Sequence, residues 1–128
     1  MLKPCLLIVD DEPDMADYVS DVAGEMGFEC VIATSAREGL ALYTTHKPVG
    51  IVMDVVMPDM DGIELIQALS ALGCALPVIV MSGYQKLYID LIESLASNQK
   101  IVIVGGLSKP FRASQLEGLL SQILETLE

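Results

Sequence analysis

The stretch Leu6-Leu7-Ile8-Val9-Asp10-Asp11-Glu12 places four consecutive aliphatic residues directly before three acids. A strand with one wet face alternates apolar and polar residues, whereas an unbroken aliphatic run reads as a strand buried on both faces, the kind found in parallel sheets. The pattern recurs along the chain. Gly50-Ile51-Val52-Met53 ends at Asp54, and Val78-Ile79-Val80-Met81, opened by Pro77, ends at Ser82-Gly83. Ile101-Val102-Ile103-Val104 runs into a loop that carries Lys109-Pro110, and a short strand is expected around Cys30-Val31-Ile32-Ala33.

Helical patterns fill the intervals. Met15, Val19, Val22 and Met26 recur at helical spacing, with Asp14, Asp17, Asp21 and Glu25 as a solvated stripe opposite and Gly27 as the stop. Ser35 opens a second helix to about His46, with Glu38 three residues on in a capping-box arrangement. Met57-Pro58-Asp59-Met60-Asp61-Gly62 is a loop by its Pro, Asp and Gly content, and a third helix follows from about Ile63 to Leu72, ending at Gly73. A fourth is expected from about Leu87 to Ala96. Leu116, Leu119, Leu120, Ile123, Leu124 and Leu127 mark the core stripe of a fifth. Five strand-helix units in succession predict an α/β fold, a doubly wound parallel sheet with helices on both faces. The 128 residues fit a single domain spanning 1–128.

Composition narrows the function. A hydrophobic content of 52% excludes a disordered chain, and with four Tyr, two Phe and no Trp the core must be aliphatic. Only seven Lys and Arg oppose eighteen acids, and they are scattered, so direct nucleic-acid binding is excluded and anionic membrane surfaces are disfavoured. No apolar run approaches a membrane span, and the opening Met1-Leu2-Lys3-Pro4 leads into too short an apolar stretch for a signal peptide. A cytoplasmic protein is expected, with Cys5, Cys30 and Cys74 as reduced, buried thiols and His46, the one histidine, exposed at a helix end.

Doubly wound sheets bind ligands outside the carboxyl ends of their strands. Those ends carry Asp10-Asp11-Glu12, Asp54, Ser82 and, beyond the fifth strand, Lys109. Clustered carboxylates repel, by about 4 kcal/mol per pair at 4 Å and an effective dielectric of 20, unless a hard cation sits among them. Mg²⁺ suits oxygen donors of this kind and leaves room for water and a phosphoryl oxygen. A carboxylate can attack phosphorus and form an aspartyl phosphate, and Asp54 is the candidate because it stands by itself on a central strand. Lys109 can neutralise a phosphoryl oxygen as a compact point charge, and the Ser82 hydroxyl can donate to another.

The segments Leu7-Ile8-Val9-Asp10-Asp11-Glu12-Pro13, Met53-Asp54-Val55-Val56-Met57-Pro58-Asp59-Met60-Asp61-Gly62, Met81-Ser82-Gly83 and Lys109-Pro110-Phe111 together resemble the receiver domain of bacterial two-component response regulators. The resemblance covers essentially the whole chain, with four separated motifs in the family's order. It implies a flavodoxin-like sheet of strand order 2-1-3-4-5 with five helices, an order illustrated by a chemotaxis receiver. It further implies Asp54 as phosphoacceptor, Asp11 and Asp54 as direct Mg²⁺ ligands, Asp10 acting mainly through water, and the backbone carbonyl of Val56 as a further ligand. Ser82 would be the switch hydroxyl and Lys109 the phosphate-pairing lysine. The implied partner is a histidine kinase or histidine phosphotransfer protein, and the face formed by the fourth helix, fifth strand and last helix is one through which receivers form homodimers. The implied role is that of a phosphoacceptor switch that catalyses its own phosphorylation and slow dephosphorylation, as opposed to an enzyme turning over a separate substrate.

One position departs from the pattern. Where the family commonly has an aromatic residue three positions before the lysine, this chain has Gly106, so another read-out is needed, by backbone movement of Gly105-Gly106 or through Tyr84 or Tyr88. Two rival readings are a haloacid-dehalogenase-type phosphatase and a degenerate receiver that only binds partners. The first usually has Asp-x-Asp after its first strand, where this chain has Asp10-Asp11-Glu12. The second is opposed by the complete set of acids, Ser82 and Lys109.

Overall fold

The structure, a computed structural model, describes residues 3–83, 90, 92–94 and 99–127. Strands β1 (Cys5–Val9), β2 (Glu29–Ala33), β3 (Gly50–Asp54), β4 (Pro77–Ser82) and β5 (Val102–Ser108) form one sheet in the order β2-β1-β3-β4-β5, and every neighbouring pair is parallel. This is the expected doubly wound order. β1, β3 and β4 lie inside the sheet and are buried almost throughout, as their unbroken aliphatic runs predict.

Alternation of side chains across the sheet divides the core in two. Leu7, Val9, Ile51, Met53, Val78 and Val80 face helices α2 (Ala36–His46) and α3 (Gly62–Ala71), meeting Ala36, Leu65, Ile66 and Leu69. Leu6, Ile8, Val52, Ile79 and Met81 face the opposite way, toward Ala16, Val19 and Ala23 of α1 (Pro13–Glu25) and Leu116, Leu120 and Ile123 of the C-terminal helix (Ala113–Glu125). Gly27 and Gly73, expected as stops, adopt φ of 102° and 83°, a region that L side chains rarely enter. The expected fourth helix falls mostly outside the described residues; Asp90 and 92–94 are helical, and Ile92 is buried in the α3 side of the core. Tyr84 and Tyr88 also lie outside the described residues.

Several details differ from the sequence reading. β5 does not stop at Val104: it accommodates a register shift opposite Val78 and Ile79, where Ile103 pairs with Val78 and Gly105 with Ile79, and then runs on to Ser108. Val104 is thus the extra residue of a bulge, and Gly105 and Gly106 belong to the strand. Both β2 and β5 are edge strands and only partly buried. Ser35 caps α2 as expected by accepting the Glu38 N–H at 3.1 Å, but Glu38 Oε1 accepts the N–H of Thr34, one residue before the cap. Of the three free thiols only Cys74 is buried, because Cys5 and Cys30 stand toward the sheet's rim. Leu127 remains 48% exposed, beyond the turn that packs on the sheet.

Candidate functional site at the carboxyl edge of the sheet

Backbone pairing delivers the predicted residues to one place. The N–H of Asp10 donates to the carbonyl of Ala33 at 3.0 Å, extending the β1–β2 ladder past Val9, and so fixes the first acid at the strand's end. Asp54 is the last residue of β3. Ser82 closes β4 opposite Ser108 of β5, and the N–H of Lys109 donates to the Ser82 carbonyl at 2.8 Å. The lysine therefore starts directly from the sheet edge. The Lys109–Pro110 peptide is cis, and Phe111 beyond it meets Tyr18 of α1 with ring centroids 6.0 Å apart.

The side chains converge on the Lys109 ammonium. Its Nζ donates to Asp54 Oδ2 at 2.7 Å, Glu12 Oε1 at 3.1 Å and Asp10 Oδ2 at 3.3 Å. The second oxygen of each aspartate is held by the chain: Asp54 Oδ1 accepts the Val56 N–H, and Asp10 Oδ1 the Glu12 N–H, both at 2.9 Å. Asp10, Asp54 and Ser82 are buried, whereas the Glu12 side chain is 63% exposed. Burial raises the Asp10 carboxyl above the ordinary range. The Glu12 N–H and the Lys109 ammonium pull it back only in part, and the charge of Asp54 adds to the rise. For Lys109 burial works toward a lower value, but the hydrogen bonds to Asp54 and Glu12 and the charges of Asp54 and Asp10 outweigh it, leaving the ammonium more firmly protonated than an ordinary lysine.

The loop after β3 is closed at its base by backbone bonds. Val55 N–H donates to the Met81 carbonyl at 3.0 Å, and Gly62 N–H to the Val55 carbonyl at 2.7 Å. Met57 is buried as an apolar anchor, and Asp61 caps α3 in a capping box with Glu64. Val56 stands on this loop, its N–H turned to Asp54.

Among the described residues, Asp10, Glu12 and Asp54 present carboxylate oxygens within 4.8 Å of one another. Asp11, expected among the ligands, is not in that group, and Glu12 stands there in its place. The difference is geometric, since the strand ends at Val9 and the following turn directs the carboxylates of residues 10 and 12, not that of residue 11, to Lys109. Three carboxylates around one ammonium leave two negative charges in excess, and all the donors are hard oxygens, so a small divalent cation fits the set. Glu12 was visible in the sequence as the third of three acids, but no spacing rule marked it as a partner of Lys109. Its only signal was its place at the end of a buried strand.

Residues 6–121 match the response regulator receiver domain family. Chemotaxis protein CheY of Bacillus subtilis is 32% identical over 122 residues, covering 93% of this chain and 96% of that protein. An uncharacterized 14.6 kDa protein of Leptolyngbya boryana is 37% identical over 83 residues, 63% of each chain. The chain spans 25% of the regulatory protein AtoC of Escherichia coli, to which it is 29% identical. Among solved structures, the receiver domain of the Francisella response regulator 1452 superposes with a TM-score of 0.83 at 25% identity, covering 98% of this chain and 99% of that one. With the strand order, the buried acids and the lysine that joins them all in place, the chain belongs to the response regulator receiver domain family, whose known mechanism is phosphorylation on an aspartate.

Proposed function

We propose that Asp54 is the residue that takes the phosphoryl group, supplied by the phosphohistidine of a histidine kinase or histidine phosphotransfer protein. The observation that carries this reading is the 2.7 Å bond from Lys109 Nζ to Asp54 Oδ2, made by a buried carboxylate at the end of a central strand. Receiver domains bind Mg²⁺ at an acidic pocket. Here Asp54 would hold it directly together with Asp11, which stands outside the Asp10–Glu12–Asp54 group and would have to turn toward the ion, with Asp10 acting mainly through water and the backbone carbonyl of Val56 as a further ligand. Mg²⁺ bound there supplies positive charge to the phosphoryl oxygens.

The chain's own residues do the rest. One oxygen of Asp54 attacks phosphorus in line with the donor imidazole; the P–N bond breaks as the acyl phosphate forms, and its electron pair stays on the imidazole nitrogen. Lys109 exchanges its bond to Asp54 for one to a phosphoryl oxygen, and so carries its charge to where negative charge accumulates. Ser82, buried at the adjoining strand end, donates its hydroxyl to another phosphoryl oxygen and signals the phosphorylated state by moving toward it. The donor histidine comes from outside: His46 is exposed at the C-terminal end of α2, and the acids face the helix's other end. We further infer a cytoplasmic switch without direct nucleic-acid contact by these residues, with a homodimer through the fourth helix, β5 and the C-terminal helix as one means of read-out.

Incubation with acetyl phosphate and Mg²⁺, followed by intact mass measurement, tests the assignment. One phosphoryl group should be gained by the native chain and none by Asp54→Asn. A native chain that gains nothing from acetyl phosphate or from a phosphorylated histidine kinase refutes it.

A further inference from the structure

We infer that Asp59 is a positioning residue for the Mg²⁺ site: it ties the tip of the loop that carries Val56 to the N-terminus of α2. The inference rests on the proposed role of the Val56 carbonyl. Asp59 lies five residues past Asp54, is exposed, and has no bond to Lys109 or the carboxylate cluster. Its two oxygens reach across to another element. Oδ1 accepts the N–H of Ala36 at 3.1 Å and Oδ2 that of Arg37 at 3.0 Å, residues 23 and 22 positions earlier in the chain.

These are the first two amides of α2, and a helix leaves its first amides without partners inside the helix. Ser35, the residue placed to cap them, is engaged by Glu38 N–H one turn further in. Asp59 therefore completes the cap from outside, where the helix dipole also favours a carboxylate. The Arg37 N–H, followed by that of Ala36, holds its carboxyl below the usual range, which indicates that both bonds favour the ionised form.

The other restraints on the loop act at its base or on its apolar side: Val55 with Met81, Gly62 with Val55, and buried Met57. Asp59 is the polar tie at the tip. Between base and tip stands Val56, whose N–H orients Asp54 and whose carbonyl would meet the cation. Mg²⁺ demands near-ideal octahedral geometry, so a loosened carbonyl costs metal affinity before it costs anything else. Partners outside the ligand set commonly matter in this way.

The test compares Asp59→Ala, Asp59→Asn and Ser35→Ala with the native chain. Ser35→Ala also removes a cap from the N-terminus of α2, but it leaves the loop tied. Mg²⁺ binding is read by calorimetry, and protection of the Val56 amide by hydrogen exchange in the metal-free protein. Asp59→Ala is expected to weaken Mg²⁺ binding severalfold and to lower Val56 protection, with Asp59→Asn, which keeps one acceptor oxygen, in between. Ser35→Ala should lower the melting temperature but leave both readouts at native values. Native Mg²⁺ affinity in Asp59→Ala, or an equal loss in Ser35→Ala, overturns the inference, as does a native chain that binds no Mg²⁺. If the native chain binds Mg²⁺ but acetyl phosphate leaves it unmodified, the phosphoacceptor assignment fails and the role of Asp59 stands or falls on the binding comparison.

Discussion

At Lys109 a largely buried ammonium faces three carboxylates, and the balance is unequal: one positive charge cannot compensate Asp10, Glu12 and Asp54 together. The unrelieved part falls on Asp10, which has no access to water and whose carboxyl is raised by burial. An acid whose pKa is raised by folding costs stability when ionised; the cost is full above the folded value and absent below the unfolded value near 3.8. Asp10→Asn is therefore expected to stabilise the metal-free protein at about pH 7, by on the order of 1 kcal/mol and a few degrees in melting temperature. The gain should shrink toward nothing as the pH falls below about 4, where the native carboxyl is itself protonated. Thermal melts in the presence of a chelator at both pH values check this, and a lower melt for the variant at neutral pH would mean that the pairing with Lys109 outweighs the repulsion. Asp10, Asp54, Ser82 and Lys109 were legible in the sequence because each closes or follows a strand, and strand ends share an edge. Glu12 was legible as a strand-end acid but not as a partner of Lys109, and Asp59 was not legible as a tie to α2: those partners, Lys109 Nζ and two amides of α2, are set by side-chain reach across distant segments.

Two glycines show how elements are fitted around the site. A Cβ added at Gly62, the first residue of α3, would lie 3.0 Å from the Cα of Val55 and 2.9 Å from both Val55 Cβ and Ile92 Cδ1. The backbone of Val55 is pinned by its bonds to Met81 and Gly62 and cannot retreat. Gly62→Ala is thus expected to destabilise by about 1–3 kcal/mol, the usual cost of overfilling a packed interior. At Gly105 the nearest atom is only a terminal methyl of Leu119, 2.6 Å from the added Cβ, and Leu119 is half-buried. That methyl can swing aside, and a strand interior gains from losing a glycine, so Gly105→Ala should cost less than about 1 kcal/mol. Urea unfolding midpoints of the two variants check the order; a Gly105→Ala midpoint below that of Gly62→Ala would contradict it. The same contrast explains why β5 was read too short. Glycines normally end strand patterns, but here Gly105 makes room for the C-terminal helix to lie close on the edge strand, and a bulge at Val104 restores the register. Neither effect is written in residues 101–108 taken by themselves.

On the scale of the molecule, a net charge of −11 does more than oppose nucleic acid. Eight of the eighteen acids lie between Asp10 and Glu29, where the site's first strand end and the exposed stripe of α1 adjoin. Part of this charge is a diffuse surface field, which any salt screens, and part is the local excess around Lys109, which only a cation bound among the carboxylates relieves. The two separate in one measurement. Raising NaCl should lift the melting temperature of the native chain and of Asp54→Asn alike, and reach a plateau as the Debye length falls to a few ångströms. MgCl₂ at equal ionic strength should add a further rise in the native chain, continuing with the logarithm of the Mg²⁺ concentration, because a ligand of the folded state stabilises by RT ln(1 + [L]/Kd). In Asp54→Asn, which removes the proposed central ligand and one of the two excess charges, that extra rise should largely disappear. Equal curves for NaCl and MgCl₂ in the native chain would mean that the cation acts by screening, and that the carboxylates around Lys109 hold no metal.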